Sequence, residues 1–486
     1  MYLPKIDAAT RAALGRRSFF EHPALVPLAI SAVGLWLLAM LVLRLYLLRR
    51  HIVIADLYLW ANALANTDWR EKFLYVAEYA DSRGAYSLLQ DHFEPSSVLL
   101  TLFSFCRDIP LALVLFQSLA PLTLVICLTR TSQRLGAGPG PGLAMAVAAL
   151  FNPVFIDAVA DGVYGFHHDA QFLLYTPLFL MFFLLRRPGP MALFLGLFLG
   201  VKQDAAFFAI IFGAMAALFG RPAAAYRKQG AVVAAVSLAY CLLAVFVLPK
   251  WIHADNKYAE EAIGTMDPTS WRFLLSVLHN FFRLKWHNLL LYNFPSFLSP
   301  EFLLPALPDM ALFSILPRQS NLYYDYNMVM FLAFGGLLSL LRPAAGWRRW
   351  LPAAVLLQAV LFVPVGLREI VHLSSKIGAT APLTAELPVD ALDAAWNATD
   401  LGCTVGVSHY LNRRFYRLPY WIYDIHLDDA RTIVSIDPAW MTASGRQDDL
   451  VLHYVEEHAA ELRQIGRFGP LILWRNPQAA CRLWWL

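Results

Sequence analysis

The feature that most constrains this chain is a series of long apolar blocks, separated by short gaps that carry arginine. The first block, 24–48, has roughly 25 residues, and at ~1.5 Å per residue a helix of that length crosses a ~30 Å hydrocarbon core. Because lipid offers the backbone no hydrogen-bond partner, each block predicts a helix. Further blocks lie at 110–129, 142–159, 171–185, 190–201, 205–219, 231–249, 287–298, 300–316, 326–341 and 351–367.

Composition agrees with a membrane protein. Charged residues make up 15% of the chain, against about 25% in soluble proteins. The predicted fold class is an all-α polytopic membrane bundle of about 9 to 11 spans. The blocks 190–201 and 287–298 are short for a full span and predict helices that are broken, re-entrant or closely supported by their neighbours.

Charge in the gaps predicts the orientation of the bundle. Short loops rich in arginine and lysine stay in the cytoplasm, so the basic gaps and the N-terminal segment 1–23 are expected inside. The more acidic loops 49–109 and 250–286 are then outside. Arg49 and Arg50 are an exception at the outer end of the first span. The basic gaps carry Arg130 and Arg134, then Arg186 and Arg187, then Arg221, Arg227 and Lys228, then Arg342, Arg348 and Arg349.

The last part of the chain has a different composition. After the transmembrane domain 24–367, the segment 368–486 is mixed and charged, and β-branched runs at 404–408 and 432–436 predict strands. A helical pattern at 448–464 completes a small α/β domain, which an odd number of spans places outside the cell. There Cys403 and Cys481 could pair in an oxidising compartment or remain free.

Two classes of function are disfavoured. The net charge is only +4 and the basic residues lie mainly between apolar blocks, which argues against a nucleic-acid partner. The five cysteines show no C-x-x-C spacing, which excludes a zinc ribbon. The partner that the composition does predict is the lipid bilayer.

Asp56 is the strongest catalytic candidate. It lies a few residues beyond the first span among apolar and aromatic residues, where desolvation would raise a carboxylate pKa and make it a usable general base. The alternative is an aspartate that caps a juxtamembrane helix.

A second candidate group follows in the same loop. Asp91, His92 and Glu94 place two carboxylates and an imidazole directly before Pro95 and an apolar stretch. Such a group is suited to binding a substrate or a metal. A turn before an interfacial helix explains the proline equally well.

The third group is a cluster of histidines and acids after the block 142–159. His167, His168 and Asp169, with Asp157 and Asp161 nearby, could hold a divalent cation, with Mg²⁺ or Mn²⁺ favoured if carboxylates dominate. We predict His167 as a substrate ligand and His168 and Asp169 as metal ligands. The spacing matches no established metal signature, so a structural cluster remains the alternative.

Lys202 stands between two short apolar blocks, where an ammonium must pair with an anion. The anion is either a ligand phosphate or a carboxylate of the chain, Asp204 or Asp169. Further on, Tyr324 belongs to an aromatic and charged segment before the block 326–341. This segment is consistent with a sugar or headgroup site, and equally with an aromatic belt at the membrane surface.

These residues also carry a family resemblance. The strings that carry it are Asp91-His92-Phe93-Glu94-Pro95, Phe166-His167-His168-Asp169-Ala170, Val201-Lys202-Gln203-Asp204 and Pro295-Ser296-Phe297-Leu298-Ser299-Pro300-Glu301. They resemble D-H-F-S-P, F-H-P-E-A, V-K-E-D and a proline-rich L-x-P-E segment, in the same order, in a bacterial family of multispanning membrane proteins without an assigned activity. The resemblance covers about 56–341. Here Glu94 replaces Ser, His168 replaces Pro, Asp169 replaces Glu and Gln203 replaces Glu.

That family is in turn similar to the C-type glycosyltransferases, which use a polyprenyl-phosphate sugar as donor. The resemblance implies a bacterial inner-membrane protein with Asp56 as the acid of the first loop and Lys202 as the phosphate ligand. It implies transfer of a sugar to a glycan, lipid or protein acceptor on the extracytoplasmic face. A transporter or flippase, or a non-catalytic scaffold, are the alternative hypotheses.

Overall fold

The structure is a computed structural model of the 486-residue chain. It describes residues 23–49, 56–68, 73–81, 84–88, 94–160, 165–219, 224–247, 271, 275, 278–279, 294–307, 326–341, 351–380, 389–399, 403–408, 411, 415–417, 421–422, 427–443, 450–479 and 481.

The predicted helical bundle with a small C-terminal α/β domain is confirmed. Ten helices of the bundle follow the apolar blocks closely, because each block has too few polar residues to leave the lipid or the core. They are α1 (Leu25–Arg49), α3 (Ile109–Leu119), α4 (Pro121–Arg134), α5 (Gly140–Leu150), α6 (Pro153–Ala160), α7 (Phe172–Leu184), α8 (Pro188–Leu199), α9 (Ala205–Phe219), α10 (Ala224–Leu242) and, later, α12 (Tyr326–Leu341), with α2, α11 and α13 given below.

Three helical stretches of the described chain are long and apolar enough to cross a membrane: 25–48, 109–134 and 351–373. The pair α5 and α6 is bent by 66° at a break and makes a fourth candidate, as a broken span or a re-entrant loop. The helices α7, α8, α9 and α12 are apolar but shorter than a full span. The block 190–201 forms one short continuous helix, α8, which ends at Leu199.

The apolar blocks 287–298 and 300–316 do not form continuous helices in the parts that the structure describes. Phe294–Leu298 is a 3-10 helix, α11 (Pro300–Leu303) is a single turn, and another 3-10 turn covers Leu304–Ala306. The prolines at 295, 300 and 305 explain the interruptions, since each removes a backbone donor.

Buried polar side chains join the middle of the bundle. The Tyr326 hydroxyl donates to the Ala158 carbonyl at 2.8 Å and accepts from the Gln117 amide at 3.0 Å. The Thr176 hydroxyl donates to the Asn327 side-chain oxygen at 2.7 Å. In a membrane such interhelical bonds satisfy groups that lipid cannot, so α12 is held against α3, α6 and α7.

Short elements cover one end of the bundle. Helix α2 (Asp56–Ala65) is buried along most of its length, and β1 (Tyr75–Asp81) pairs antiparallel with β2 (Gly84–Ser87). An 11-residue 3-10 helix, Pro95–Phe105, then leads to α3.

The C-terminal domain follows α13 (Leu351–Thr380), which runs past the predicted domain boundary at 367. Its sheet has the strand order β4-β3-β5-β7-β6, in which β3, β4 and β5 are parallel and β7 is antiparallel to both of its neighbours. The elements are α14 (Val389–Ala398), β3 (Val405–Val407), β4 (Trp421–Ile422), β5 (Thr432–Ile436), α15 (Pro438–Ala443), α16 (Leu450–Glu457), β6 (Arg463–Phe468) and β7 (Leu471–Arg475).

The strands predicted at 404–408 and 432–436 are confirmed as β3 and β5. The helix predicted over 448–464 is wrong at its C-terminal end, because α16 stops at Glu457 and β6 begins at Arg463. Gly469, with a φ of 57°, makes the turn that lets β6 pair with β7. This pairing across a turn competes with continuation of the helix.

Cys403 and Cys481 form a disulfide bond, which settles the open alternative from the sequence. The bond joins residues 78 positions apart and ties the end of the described chain to the start of β3.

We expect reduction of this disulfide to destabilise the C-terminal domain by about 4 kcal/mol, because the bond removes conformations from the unfolded chain. A melting curve of the protein in detergent, with and without dithiothreitol, measures the effect. The double variant Cys403→Ser, Cys481→Ser is the control and should melt at the same lower temperature in both conditions. Equal melting of the unmodified protein with and without reductant would contradict the prediction.

Candidate active site

Four separate segments bring ionisable side chains together at the covered end of the bundle. These segments are the start of α2, the residue before the 3-10 helix Pro95–Phe105, the segment that precedes α7, and the link between α8 and α9. They contribute Asp56, Glu94, His167, His168, Asp169 and Lys202. We call this set the ionisable cluster.

Asp56 is the part of the cluster that reaches solvent. It is the first residue of α2, and its side chain is 20% exposed, whereas the His167 side chain is 8% exposed. His167 Nε2 lies 3.6 Å from Asp56 Oδ2. Because Asp56 lies in the first turn of α2, the helix N-terminus favours a negative charge at this position.

The hydrogen bonds of His167 determine its tautomer. The backbone N–H of Asp169 donates to His167 Nδ1 at 3.3 Å, so the neutral ring carries its proton on Nε2. That N–H faces the Asp56 carboxylate. Burial, followed by the positive charge of His168, lowers the pKa of His167 to about 3, and the ring is therefore neutral near pH 7.

Asp169 lies at the centre of the cluster and is 1% exposed. Its Oδ2 is 3.4 Å from Lys202 Nζ and 3.5 Å from His167 Nδ1, and its Oδ1 is 2.9 Å from His168 Nε2. Burial alone would raise the pKa of Asp169, but the positive charges of Lys202 and His168 hold it well below the usual range. The carboxylate is therefore ionised.

His168 lies between two carboxylates. Its Nε2 is 2.7 Å from Glu94 Oε1 and 2.9 Å from Asp169 Oδ1. Burial opposes the charged ring, yet the two acids outweigh it and raise the pKa of His168 to about 9. Burial also raises the pKa of Glu94 to about 7, against the attraction of His168. Ser97 donates from its hydroxyl to Glu94 Oε2 at 3.1 Å and fixes that side chain.

A close backbone contact places Glu94 and Lys202 side by side. The Ser96 N–H donates to the Gly200 carbonyl at 2.8 Å, and the Ser96 hydroxyl donates to the Leu197 carbonyl at 2.7 Å. A Cβ at Gly200 would lie 2.5 Å from Ser96 Oγ. Each charged residue stands two positions from this contact, so the contact sets their separation.

The structure also places Arg44 in this region, a residue that the sequence analysis did not single out. Arg44 lies in α1, is 2% exposed, and donates from its guanidinium to the carbonyls of Val159 and Gly165. It thereby holds the end of α6 and the segment that leads to His167. A charged residue inside an otherwise apolar span is the signal that could have identified it.

Trp60 forms the inner wall of the cluster. Its ring centroid lies 5.6 Å from that of His168 and 6.5 Å from that of Phe166. Since Trp60 is one helical turn after Asp56, the two side chains share one face of α2. This packing fixes α2 against the histidine segment.

The structure thus brings together Asp56, Glu94, His167, His168, Asp169 and Lys202, while their functional roles stay predictions. Of the two carboxylates considered for Lys202, Asp169 is the one in contact. Asp91, His92 and Tyr324 lie outside the described residues, as do the N-terminal segment 1–22 and nearly all of the loop 250–286.

Three members of the cluster could hold a metal ion. His167, His168 and Asp169 offer ligand atoms that all lie within 4.8 Å of one another, and Glu94 Oε1 adjoins them. Two imidazoles and a carboxylate fit Mn²⁺ or Zn²⁺ better than Mg²⁺, which prefers oxygen ligands. A metal at His168 would displace the proton that this ring otherwise carries.

Comparison with known proteins identifies no family. No family model matches the chain, and no curated protein matches it. Among solved structures, the chain is similar to ArnT from Cupriavidus metallidurans bound to undecaprenyl phosphate. That similarity has a TM-score of 0.45 at 14% sequence identity and covers 93% of this chain and 99% of ArnT. A likeness at this level carries no conclusion about activity.

We expect Gly200→Ala to destabilise the protein by about 1 to 3 kcal/mol, because the new methyl group overlaps Ser96 Oγ. Melting in detergent measures this change. Gly196→Ala is the matched control: it is one turn earlier, and nothing lies within 4 Å of its added Cβ. If both variants melt alike, the contact between Ser96 and Gly200 does not constrain the site.

Proposed function

We propose that this protein is a membrane glycosyltransferase that transfers a sugar from a polyprenyl-phosphate donor to an acceptor on the extracytoplasmic face. One observation supports it most: a partly exposed carboxylate and a buried ammonium are joined through two residues. Asp56 contacts His167, which contacts Asp169, which contacts Lys202. The arrangement combines a candidate base with a candidate phosphate ligand.

Asp56 has the position required of a general base. Its side chain is the most exposed of the six in the ionisable cluster. The N–H of His167 faces one of its carboxylate oxygens. In the proposed step the acceptor hydroxyl oxygen forms a bond to the anomeric carbon and gives its proton to Asp56. The bond from that carbon to the phosphate oxygen breaks, and its electron pair leaves with the polyprenyl phosphate.

Lys202 is suited to the departing phosphate. The carboxylate of Asp169, which Lys202 contacts, is also contacted by His168. The ammonium can therefore turn to a phosphate without leaving Asp169 as an isolated buried charge. Because the donor already carries its leaving group, no nucleotide-binding loop is required.

The proposed face has two supports. Arg186 and Arg187 follow the C-terminal end of α7, whereas Asp169 precedes its N-terminal end. The basic gap and the ionisable cluster therefore lie at opposite ends of this helix. The C-terminal domain, with its disulfide, contacts α2 at the cluster end through Asn62. Both observations agree with a cluster that faces the extracytoplasmic side.

Asp56→Asn should lower transfer about 100-fold or more, as loss of a general base does. The assay measures release of polyprenyl phosphate from a polyprenyl-phosphate-linked sugar by purified protein, so that transfer to any acceptor, water included, is counted. Asp68→Asn, an exposed acid just beyond α2, is the matched control and should keep full activity. Full activity of the Asp56 variant would exclude the proposed role.

We propose in addition that the cluster binds a divalent cation through His167, His168 and Asp169. When bound, the cation would neutralise negative charge on the phosphate oxygens. The geometry of the ligand atoms supports this, since one ion can bridge groups within 4.8 Å of one another.

After treatment with a chelator, added MnCl₂ should raise the melting temperature by a few degrees, because an ion that binds only the folded state stabilises it. His168→Ala should abolish the rise. His453→Ala, an exposed histidine of α16, should leave it intact. A rise of the same size in all three proteins would indicate binding elsewhere and contradict the site.

One observation favours a second candidate function, a transporter. The break between α5 and α6, with its 66° bend, is the kind of interrupted helix that lines transport sites. Uptake of the labelled polyprenyl-phosphate sugar by sealed proteoliposomes, without release of polyprenyl phosphate, would favour transport over transfer.

A further inference from the structure

Helix α2 has two functional faces. Asp56 and Trp60 point to the ionisable cluster, as shown by the contacts with His167 and His168. Tyr58 and Asn62, also one turn apart, point to the C-terminal domain. The helix that carries the candidate base is thus held between the cluster and that domain.

The contact with the domain runs through three consecutive residues, 415–417, which we call the docking turn. Asn62 donates from its side-chain amide to the Tyr416 carbonyl at 2.6 Å, and Asn62 is fully buried. The ring centroids of Tyr58 and Tyr416 are 6.4 Å apart. An amide of this kind buried in an interface restricts both partners, since loss of its acceptor is costly.

The docking turn is fixed at both ends. Phe415 is fully buried and packs on Trp396 of α14, with ring centroids 5.5 Å apart. Arg417 donates to the Arg107 carbonyl at 2.7 Å, just before α3, and from Nε to the Tyr416 hydroxyl at 3.1 Å. The turn therefore connects the core of the domain to two elements of the bundle.

We propose that the docking turn is a positioning element for Asp56, and that Asn62 is the positioning residue through which it acts. The C-terminal domain then has a role in forming the active site, besides any contact with an acceptor. Placement of α2 by Asn62 sets the separation of Asp56 and His167. The expected effect on catalysis rests on the proposed function, whereas the placement of α2 by the docking turn does not.

A cross-linking experiment tests the placement without an activity assay. The full-length protein carries Asp56→Cys and His167→Cys, with Cys106→Ser to remove the half-buried native thiol, and reacts with a short bis-methanethiosulfonate. Adding Asn62→Leu should slow cross-linking about fivefold, the factor that corresponds to one net hydrogen bond. Asn66→Leu is the matched control and should not change the rate, since the Asn66 side-chain amide donates to the Asn62 carbonyl of α2 and not to the docking turn.

Arg417→Gln provides a second variant, which removes the bonds to Tyr416 and Arg107 at an exposed position without changing Asn62 itself. It should slow cross-linking in the same direction, and it decides the outcome if Asn62→Leu fails to fold. Unchanged rates in both variants would overturn the proposal.

In the release assay, on a protein with Asp56 and His167 intact, Asn62→Leu should lower kcat and leave KM for the donor unchanged. A loss of thermal stability with kcat unaltered would mean a merely structural residue and overturn the proposal. If cross-linking responds but no variant, including the unmodified protein, releases polyprenyl phosphate, the placement by the docking turn stands and the transferase proposal fails.

Discussion

The covered end of the bundle depends on compensation of one buried carboxylate, that of Asp169. A buried charge is tolerated only with partners of opposite charge or with hydrogen bonds, and Asp169 takes its partners from different parts of the chain. Lys202, in the link between α8 and α9, contacts the Asp169 carboxylate directly. His168 contacts both Asp169 and Glu94, so it connects the two carboxylates. Removal of one partner would weaken this compensation and place more of it on the others, so the stability of this region and its chemistry have the same physical origin.

The elements around the cluster have different tasks. Arg44 holds the histidine segment from within the bundle, Trp60 packs against it from α2, and the close contact between Ser96 and Gly200 fixes Glu94 relative to Lys202. The C-terminal domain lies on the far side of α2. The domain thus contacts the face of α2 that points away from the cluster, and all six cluster residues belong to the bundle.

Much of this arrangement could be predicted from the sequence, because apolar blocks and isolated charges have strong physical consequences in lipid. The helices follow the blocks, and Asp56, His167, Asp169 and Lys202 were singled out because ionisable groups near apolar segments require partners. Arg44, Asn62 and Gly200 were not found, since their roles depend on backbone groups far away in the chain. The C-terminal end of the helix at 448–464 was predicted wrongly because the pairing of β6 with β7 is a tertiary effect that overrides local periodicity.

Arg44 has a consequence for how the chain enters the membrane. An arginine in an apolar helix opposes insertion by about 2.5 to 3.5 kcal/mol when it lies near the centre, and less towards the ends. The carbonyl of Val159 that accepts its guanidinium lies 115 residues further along, so α1 is synthesised and inserted long before that acceptor exists. The first span therefore reaches its final environment only after α6 has been made, so assembly of the helices completes a step that insertion of α1 alone leaves open.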